Sequence, residues 1–414
     1  MDDTPIFIGD ILIEDSRITK IAPSINEEAD IVRDCHKNVI MPGFKNAHSH
    51  NAMTFLRSKT DGSNLQDWLF KTVLPREELL TPENVYHFAK VAFLECISGG
   101  ITACFDQYYF RLMTAKAAEE MGFRLVLMGV YNTSYEALVE EFHQYNDKED
   151  SLVSFLLGIH AEYTVTEDEL KQMVTAVHDL KVPFYSHISE TKKEVEECIA
   201  RRGMGPVEFF NSLGLFDYGG GGYHCVYFSD KEAQIFKEKN LSVVSCPGSN
   251  TKLSSGVIPL VKYHKMGINV ALGTDGPASN NCLNMFKEMA LTFSLQNLNT
   301  GNPACLKSYD ILKMATVNGA KAMGLKDCDI LEVGKKADLI EIDLSRPNMQ
   351  PLNDIVTNIV YSGSKDIIKM TMINGKILYE DGKFFINEDI KKIYDDCQRD
   401  SEDLEARYLA GLNH

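Results

Sequence analysis

The sequence predicts a (β/α)8 barrel, a closed ring of eight parallel strands alternating with helices, joined to a small β-sandwich formed from both chain ends. Three observations predict this α/β fold. From about residue 40 to 325, short apolar runs alternate with helical patterns, as repeated βαβ units require. Strand-like alternation also marks the first 40 residues and the segment after residue 329. Finally, 414 residues exceed what one small core accommodates, which favours two units.

The expected boundaries follow from these patterns. Residues 1–40 form the N-terminal part of the sandwich, 41–328 the barrel, 329–386 the C-terminal part of the sandwich, and 387–414 a C-terminal helix. Chain ends often lie close together in folded domains, so one sandwich can draw strands from both.

The terminal segments carry short strand patterns. Residues 11–21 predict a hairpin that turns at Asp15 and Ser16, and Ile31 with Val32 predicts one further strand. Near the other end, strands are expected at 337–343, at 355–361 and at 369–379, where Asn374 and Gly375 form a hairpin turn.

The central segment supplies the barrel. Strand patterns occur before His48 and at 100–105, 124–130, 152–159, 182–186, 223–226, 241–245 and 268–272, which makes eight. Helical patterns between them include 82–98 with Thr81 as N-cap, 167–180, 191–202 and 230–239.

Composition and charge exclude several classes of partner. The net charge of −17 argues against nucleic acid and anionic membranes, because both attract clustered Lys and Arg. No run reaches the ~18 apolar residues of a spanning helix, and residues 1–5 carry no secretory signal pattern. Ten scattered cysteines without a Cys-x-x-Cys pair indicate reduced thiols in a cytoplasmic protein. We therefore expect a small-molecule partner, and homo-oligomer formation stays open.

Metal-ligating side chains concentrate where the predicted barrel strands end, which is where barrels carry their chemistry. These side chains are His48 and His50 after the first strand, His160 after the fourth, His187 after the fifth, His224 after the sixth and Asp275 after the eighth. Glu190 follows His187 by three residues. The pattern is typical of metal-assisted hydrolysis, in which imidazoles and a carboxylate hold a divalent ion and leave one position for water.

Each of these residues has a plainer interpretation when taken singly. His187 alone would be a buried structural histidine, and His224 follows four glycines that suggest a flexible loop. Glu190 could be an acid at a helix start, and Asp275 a turn former. A catalytic site needs them together: the bound ion activates a water, and a nearby carboxyl such as Glu190 moves its proton to the leaving group.

Six segments together carry a family likeness. They read MPGFKNAHSH at 41–50, GIHAEYT at 158–164, SHISET at 186–191, YHCV at 223–226, SCPGSNTKL at 245–253 and LGTDGPASNN at 272–281. With these segments the chain resembles the amidohydrolase superfamily, and within it the TRZ/ATZ group of aminohydrolases that includes the 5-methylthioadenosine/S-adenosylhomocysteine deaminases. The likeness extends from about residue 6 to 385.

The resemblance implies a mononuclear metal site. The ligands it implies are His48, His50, His187 and Asp275. One divalent ion is expected, with zinc as first choice and iron or manganese as alternatives. Relatives with two metals bridge them by a carbamylated lysine at the end of strand four, and this chain has His160 there.

The resemblance also implies roles for the remaining residues. Glu190 carries the proton, and His224 contacts the attacking water or the tetrahedral intermediate. Asp275 doubles as the acceptor of the water's proton. His160 is expected to hydrogen-bond the substrate ring, and Glu190 also contacts the substrate.

The substrate contacts depart from the family pattern. Related nucleoside deaminases place an acid just before a tryptophan to bind the ribose hydroxyls, whereas this chain has Gln66 near Trp68. Met128 stands where one carboxylate-binding arginine is expected, and residues 131–150 contain no arginine. Because a buried carboxylate without such a partner is costly, we expect S-adenosylhomocysteine itself to be a poor substrate.

The expected function is metal-dependent deamination of an aminated N-heterocycle or nucleoside, with water attack on the ring carbon and release of ammonia. Two alternatives remain. One is hydrolysis of a ring halide or a cyclic amide by the same kind of site. The other is a catalytically silent barrel scaffold, which would be expected to have lost a ligand; none of the four is missing.

Overall fold

The computed structural model describes residues 6–59, 62–130 and 134–412. The expectation about a secretory signal in residues 1–5 lies outside the described residues. The strands are β1 Asp10–Glu14, β2 Arg17–Ala22, β3 Val39–Pro42, β4 Phe44–Ser49, β5 Ile101–Asp106, β6 Arg124–Val130, β7 Val153–Gly158, β8 Phe184–Ile188, β9 Gly220–His224, β10 Ser242–Ser245, β11 Asn269–Leu272, β12 Leu339–Ile342, β13 Ile368–Ile373, β14 Lys376–Glu380 and β15 Lys383–Phe384.

The helices lie mostly between these strands. The α-helices are α1 Leu65–Asp67, α2 Leu74–Glu77, α3 Pro82–Ser98, α4 Arg111–Met121, α5 Tyr135–Asn146, α6 Glu167–Leu180, α7 Lys192–Arg202, α8 Pro206–Ser212, α9 Asp230–Glu238, α10 Pro247–Lys252, α11 Leu260–Lys265, α12 Pro277–Asn280, α13 Met285–Thr300, α14 Ser308–Met314, α15 Val317–Ala322, α16 Ile355–Thr357 and α17 Ile390–Gly411. Short 3-10 turns span Asn51–Leu56, Glu162–Thr164, Pro347–Met349 and Lys365–Ile367, and π-turns span Trp68–Val73 and Asn358–Ser362.

Strands β4 to β11 form the predicted barrel. They pair in chain order as one eight-stranded sheet, and the pairings are parallel. The two ends of this sheet meet: the N–H of Asp275 donates to the carbonyl of His48 at 3.0 Å. The N–H of Thr274 donates to Oδ1 of Asn46 at 2.8 Å. The (β/α)8 fold expected from the alternating pattern is confirmed.

Side chains fill the inside of the barrel, so it is a packed core and not a channel. Phe105, Met128, Tyr185 and Tyr223 belong to this interior cluster and are almost completely buried. The ring of Tyr223 stacks on the ring of His48 with centroids 3.7 Å apart. Tyr223 therefore lies directly beneath the site at the carboxyl ends of the strands and supports the ring of His48.

The glycine run before His224 belongs to a strand. β9 begins at Gly220, and glycines are required there because neighbouring backbones approach too closely for a side chain. A Cβ at Gly220 would lie 1.9 Å from the carbonyl oxygen of Phe184, and one at Gly221 would lie 2.2 Å from that of Ser242. The flexible-loop interpretation of His224 is therefore wrong: it ends a barrel strand.

Both ends of the chain build the second sheet. β3 pairs antiparallel with β12, which continues through β13 and β14 to β15 as a five-stranded sheet. The chain passes from β3 into barrel strand β4 at Gly43. A Cβ there would lie 2.1 Å from the Thr102 side chain, so only glycine allows this passage.

The predicted N-terminal hairpin, β1 with β2, packs on this sheet. Ile18 of β2 is fully buried and shares an apolar cluster with Leu339, Met370 and Met372. The sandwich formed from both chain ends is thereby confirmed.

Two predicted terminal strands are wrong. Ile31 and Val32 are 78% and 85% exposed and join no strand of the described chain; a two-residue apolar run without a neighbouring strand has nothing to pair with. Residues 355–361 are helical. Their apolar residues lie four apart, a helical spacing, and Asp354 caps the turn by accepting from the N–H of Thr357 at 2.8 Å.

The predicted C-terminal helix is α17, which packs across α3. Oδ2 of Asp400 accepts from Nδ2 of Asn84 at 3.1 Å and lies 2.7 Å from Nδ1 of His87. Within the described ranges, no helix has the combined length and apolar character needed to cross a membrane.

Candidate metal centre

Four buried side chains converge at the carboxyl ends of the barrel strands, the mouth of the barrel. His48 lies in β4, His50 directly follows it, His187 lies in β8, and Asp275 comes three residues after β11. One potential ligand atom from each lies within 4.8 Å of those of the other three. Residues separated by more than two hundred positions thus face one point, as the sequence predicts.

Backbone carbonyls orient two of the imidazoles. Nδ1 of His50 lies 2.6 Å from the carbonyl of Gln107, and Nδ1 of His187 lies 2.8 Å from the carbonyl of His160. Because a carbonyl can only accept, Nδ1 of each ring must donate. The lone pair is then on Nε2 when the ring is neutral, which is the arrangement that a metal-binding histidine needs.

The carboxylate of Asp275 faces these rings. Its Oδ1 lies 3.2 Å from Nε2 of His50 and 3.4 Å from Nε2 of His48. Burial favours neutral His50, but the carboxylate outweighs it and raises the pKa of His50 to about 9. The same rings outweigh burial at Asp275 and hold its pKa well below the usual range. Lone pairs this close repel unless a proton or a cation lies between them, so this donor set fits a divalent cation.

His48 supports the same conclusion. It is fully buried, and neither ring nitrogen has a hydrogen-bond partner among the described residues. Burial lowers the pKa of His48 to about 3, which keeps the ring neutral. A buried polar nitrogen without a partner costs free energy, and coordination of a cation would remove that cost.

Two serines hold the other oxygen of Asp275. Oδ2 accepts from Oγ of Ser249 at 2.6 Å and from Oγ of Ser279 at 2.9 Å. The backbone of Asp275 has a left-handed φ of 59°, and Oδ1 accepts from the N–H of Gly276 at 2.8 Å. These bonds fix the carboxylate so that Oδ1 points at the histidines.

A second pair of groups lies beside the four ligands. Oε2 of Glu190 lies 3.7 Å from Nε2 of His224, and both side chains are buried. Nδ1 of His224 is 2.8 Å from Oδ1 of Asn250, whereas its Nε2 is buried without a hydrogen-bond partner in the described chain. Burial raises the pKa of Glu190. A carboxyl with a raised pKa beside an imidazole is suited to proton transfer.

The predicted substrate contacts are less tightly grouped. The ring centroid of His160 lies 4.6 Å from that of His187, and burial lowers the pKa of His160 to about 4. Gln66 is half-buried on α1, and Trp68 is buried just after it. Trp68 shares an apolar cluster with Met53. Met53 and His50 both lie close to Gly276, so this cluster is beside a predicted metal ligand. Contact of these residues with a substrate stays a prediction.

Met128, which stands where one carboxylate-binding arginine is expected, lies inside the barrel. It is fully buried, and its sulphur lies 3.5 Å from the hydroxyl of Tyr223. Because Tyr223 lies beneath the site, Met128 belongs to the barrel core and not to the residues at the mouth. Of the segment 131–150, residues 131–133 lie outside the described residues.

Sequence reasoning missed the residues that hold the site groups in place. These are Ser249 and Ser279 on Asp275, Asn250 on His224, and Ser255 and Glu194 around Glu190. Ser249 and Asn250 lie inside the family-like segment 245–253, and Ser279 lies inside the segment 272–281. Glu194 follows Thr191 by three residues, the spacing of a helix capping box. Those two signals could have directed attention to four of them.

Comparisons with known proteins agree with this geometry. The model of the family described as "Amidohydrolase family" matches residues 39–378. The 5-methylthioadenosine/S-adenosylhomocysteine deaminase of Pyrococcus furiosus is 39% identical over 398 residues, covering 94% of this chain and 95% of the relative. The 5'-deoxyadenosine deaminase of Methanosarcina acetivorans is 35% identical over 408 residues, covering 96% and 94%.

A solved structure resembles the fold closely. The crystal structure of an adenosine deaminase from Xanthomonas campestris with bound zinc superposes with a TM-score of 0.88 at 27% identity, covering 97% of this chain and 94% of that one. The family match spans most of the chain, and the first relative exceeds a third in identity over nearly its whole length. The chain therefore belongs to the amidohydrolase family.

Proposed function

We propose that this protein is a metal-dependent aminohydrolase that replaces the ring amine of an adenosine-type nucleoside with oxygen and releases ammonia. The observation that carries the proposal is the pairing of a four-ligand group with Glu190 and His224 at one mouth of the barrel. Metal-dependent hydrolysis of a carbon–nitrogen bond needs both a site for a cation and a nearby group that moves protons. The deaminase relatives support the same class of reaction.

His48, His50, His187 and Asp275 would hold one divalent ion. Three imidazoles and one carboxylate are ligands that zinc favours, and the related Xanthomonas structure contains zinc; iron and manganese are the alternatives. When bound, such an ion lowers the pKa of a coordinated water toward ~7 and polarises it for attack.

Glu190 is the proposed proton carrier. Burial raises the pKa of Glu190, which favours its protonated form and suits it to deliver a proton to the substrate ring nitrogen. Protonation makes the adjacent amine-bearing carbon more electrophilic. Nε2 of His224 contacts the attacking water, and Asp275 accepts the proton that this water loses. Asp275 then passes its proton to the amine, which leaves as ammonia, and Glu190 regains a proton from the hydroxyl group left on the ring carbon.

The proposed substrate class is an adenosine-type nucleoside with an uncharged 5' end. His160, Gln66 and Trp68 are the expected contacts to base and ribose. Residues 131–150 contain no arginine, so this segment offers no guanidinium to a substrate carboxylate. A carboxylate desolvated without an ionic partner is unfavourable, so S-adenosylhomocysteine should react poorly.

Ammonia release tests this proposal. Zinc-loaded protein would be incubated with adenosine, 5'-deoxyadenosine, 5-methylthioadenosine, S-adenosylhomocysteine and a cyclic amide, with a Glu190→Gln variant as control. We expect ammonia from the uncharged nucleosides, and loss of turnover but not of bound metal in the variant. Turnover of the cyclic amide alone would support the alternative hydrolase. No turnover and no bound metal would support a silent scaffold.

Cytoplasmic location and homo-oligomer formation stay predictions from the sequence.

A further inference from the structure

The loop that carries Glu190 is restrained from two sides by groups with no assigned role. Glu190 follows β8, and the chain turns sharply before it because Ser189 has a left-handed φ of 54°. The carbonyl of Ser189 accepts from the N–H groups of Val226 and Tyr227, at 3.0 Å each. This fixes one side of the peptide that precedes Glu190.

The carboxylate of Glu194 fixes the other side. Its Oε1 accepts from the N–H of Ser189 at 2.7 Å, and its Oε2 accepts from the N–H of Glu190 at 2.8 Å. Glu194 lies in the first turn of α7 and is only 2% exposed. A capping carboxylate usually reaches the N–H of the N-cap residue, which here is Thr191. Beyond that position, Glu194 binds the N–H groups of Ser189 and Glu190, the two residues that set the direction of the Glu190 side chain.

Among the residues that the structure describes, one hydroxyl donates to the side chain of Glu190. Oγ of Ser255 donates to Oε1 of Glu190 at 2.8 Å, and Ser255 is 4% exposed. The backbone of Ser255 is held as well: its N–H donates to the carbonyl of Asn250, and its carbonyl accepts from the hydroxyl of Tyr227 at 2.8 Å. The Ser255 hydroxyl therefore has a fixed position, and it leaves only Oε2 of Glu190 facing His224.

We infer that Glu194 and Ser255 are positioning residues that hold the carboxylate of Glu190 in one orientation, with Oε1 bound by Ser255 and Oε2 directed toward His224. The inference rests on the proposed function, in which Glu190 moves protons. It adds that one oxygen, Oε2, takes up and releases the proton. A hydroxyl donor at Oε1 favours an acceptor oxygen there, so the added proton occupies Oε2.

The test compares Ser255→Ala and Glu194→Gln with a matched control. The glutamine amide would turn a donor toward the N–H groups that Glu194 now accepts from. Glu232→Gln makes the same change in the outer helices: Glu232 is 1% exposed and accepts from the N–H groups of Ser229 at 2.9 Å and Val207 at 3.1 Å. Metal content and melting temperature of the three variants measure any general damage.

We expect each positioning variant to lower kcat for the reactive nucleoside by about tenfold, as the loss of one buried hydrogen bond predicts. KM and bound metal should change little, and Glu232→Gln should keep the wild-type kcat. In a Glu190→Gln background, neither Ser255→Ala nor Glu194→Gln should lower the residual rate further, because a residue that acts through Glu190 has nothing left to position.

Two results would overturn the inference. One is a kcat for both positioning variants equal to that of Glu232→Gln. The other is the same fractional loss of rate with and without the Glu190 carboxylate, which would indicate general structural damage. Failure of the proposed function looks different, since Glu190→Gln would then keep the wild-type rate or no nucleoside would release ammonia.

Discussion

The carboxylate of Asp338 accepts two hydrogen bonds from the guanidinium of Arg124, at 2.6 Å from Nε and 2.9 Å from Nη2. The two side chains are 0% and 4% exposed. Arg124 starts barrel strand β6, and Asp338 directly precedes β12 of the five-stranded sheet. The pair therefore joins the end of the barrel opposite the mouth to the sheet built from both chain ends.

Asp338→Asn should destabilise the protein strongly. The change leaves the guanidinium of Arg124 buried without its charge partner, and breaking a buried pair in this way costs about 3–5 kcal/mol. Urea unfolding measures the loss of free energy. Asp395→Asn is the control, because Asp395 pairs with Lys391 at an exposed position and such pairs contribute little. Equal urea midpoints for the two variants would show that the buried pair does not stabilise the joint.

The same pair predicts a pH dependence of stability. Burial alone would raise the pKa of Asp338, but the Arg124 guanidinium outweighs it and holds the pKa below the usual range. A lowered folded pKa means stability that is present above the unfolded pKa of about 4 and is lost as pH falls through the folded value. The difference in unfolding free energy between wild type and Asp338→Asn should stay constant from neutral pH to about 5 and narrow below about 4. A difference that widens on acidification would contradict this assignment.

The barrel was predictable because its strands are short apolar runs and its helices carry ordinary caps, so local pattern and tertiary structure agree. The strand predicted at 355–361 is wrong because β-branched residues favour a strand, whereas the four-residue spacing of Ile355 and Ile359 is helical. Ile31 and Val32 are also β-branched, but they are exposed and pair with no strand of the described chain. Composition alone does not reveal which partner an apolar run will find.

The metal ligands were predictable for a different reason. Histidines and an aspartate at successive strand ends must meet once the barrel closes. The groups that hold them in place could not be predicted in the same way. Ser249, Ser255 and Glu194 belong to residue types that are common in turns and caps, and only the closed fold shows that each one contacts a site carboxylate or the loop that carries it.

Ser249→Ala should weaken metal binding. Oγ of Ser249 donates to Oδ2 of Asp275 at 2.6 Å, and loss of such an outer partner typically lowers metal affinity by about 10–100-fold. Ser279 still donates to the same oxygen, so we expect the lower end of that range.

Competition with a chelator, followed by metal analysis, measures the affinity of the Ser249→Ala protein. Ser212→Ala is the matched control, since the Ser212 hydroxyl donates to a backbone carbonyl at the end of α8. An affinity equal to that of the control would show that Ser279 alone is sufficient to orient Asp275.

Changes at Gln66 should alter the affinity for nucleosides. If Gln66 contacts the ribose, its neutral amide offers a hydrogen bond of about 0.5–1.5 kcal/mol, whereas a carboxylate offers about 1.5–3 kcal/mol. Gln66→Glu should therefore lower KM for adenosine-type nucleosides by about fivefold, and Gln66→Ala should raise it by a similar factor. Neither variant should change KM for the free base adenine, which has no ribose. Steady-state ammonia release measures KM of the wild type and of both variants for the nucleoside and for adenine. Gln234→Ala is the control, because Gln234 lies on the exposed side of α9 and bonds to Glu238. Equal effects of the Gln66 variants on nucleoside and free base would assign Gln66 to the ring or to the fold and not to the ribose.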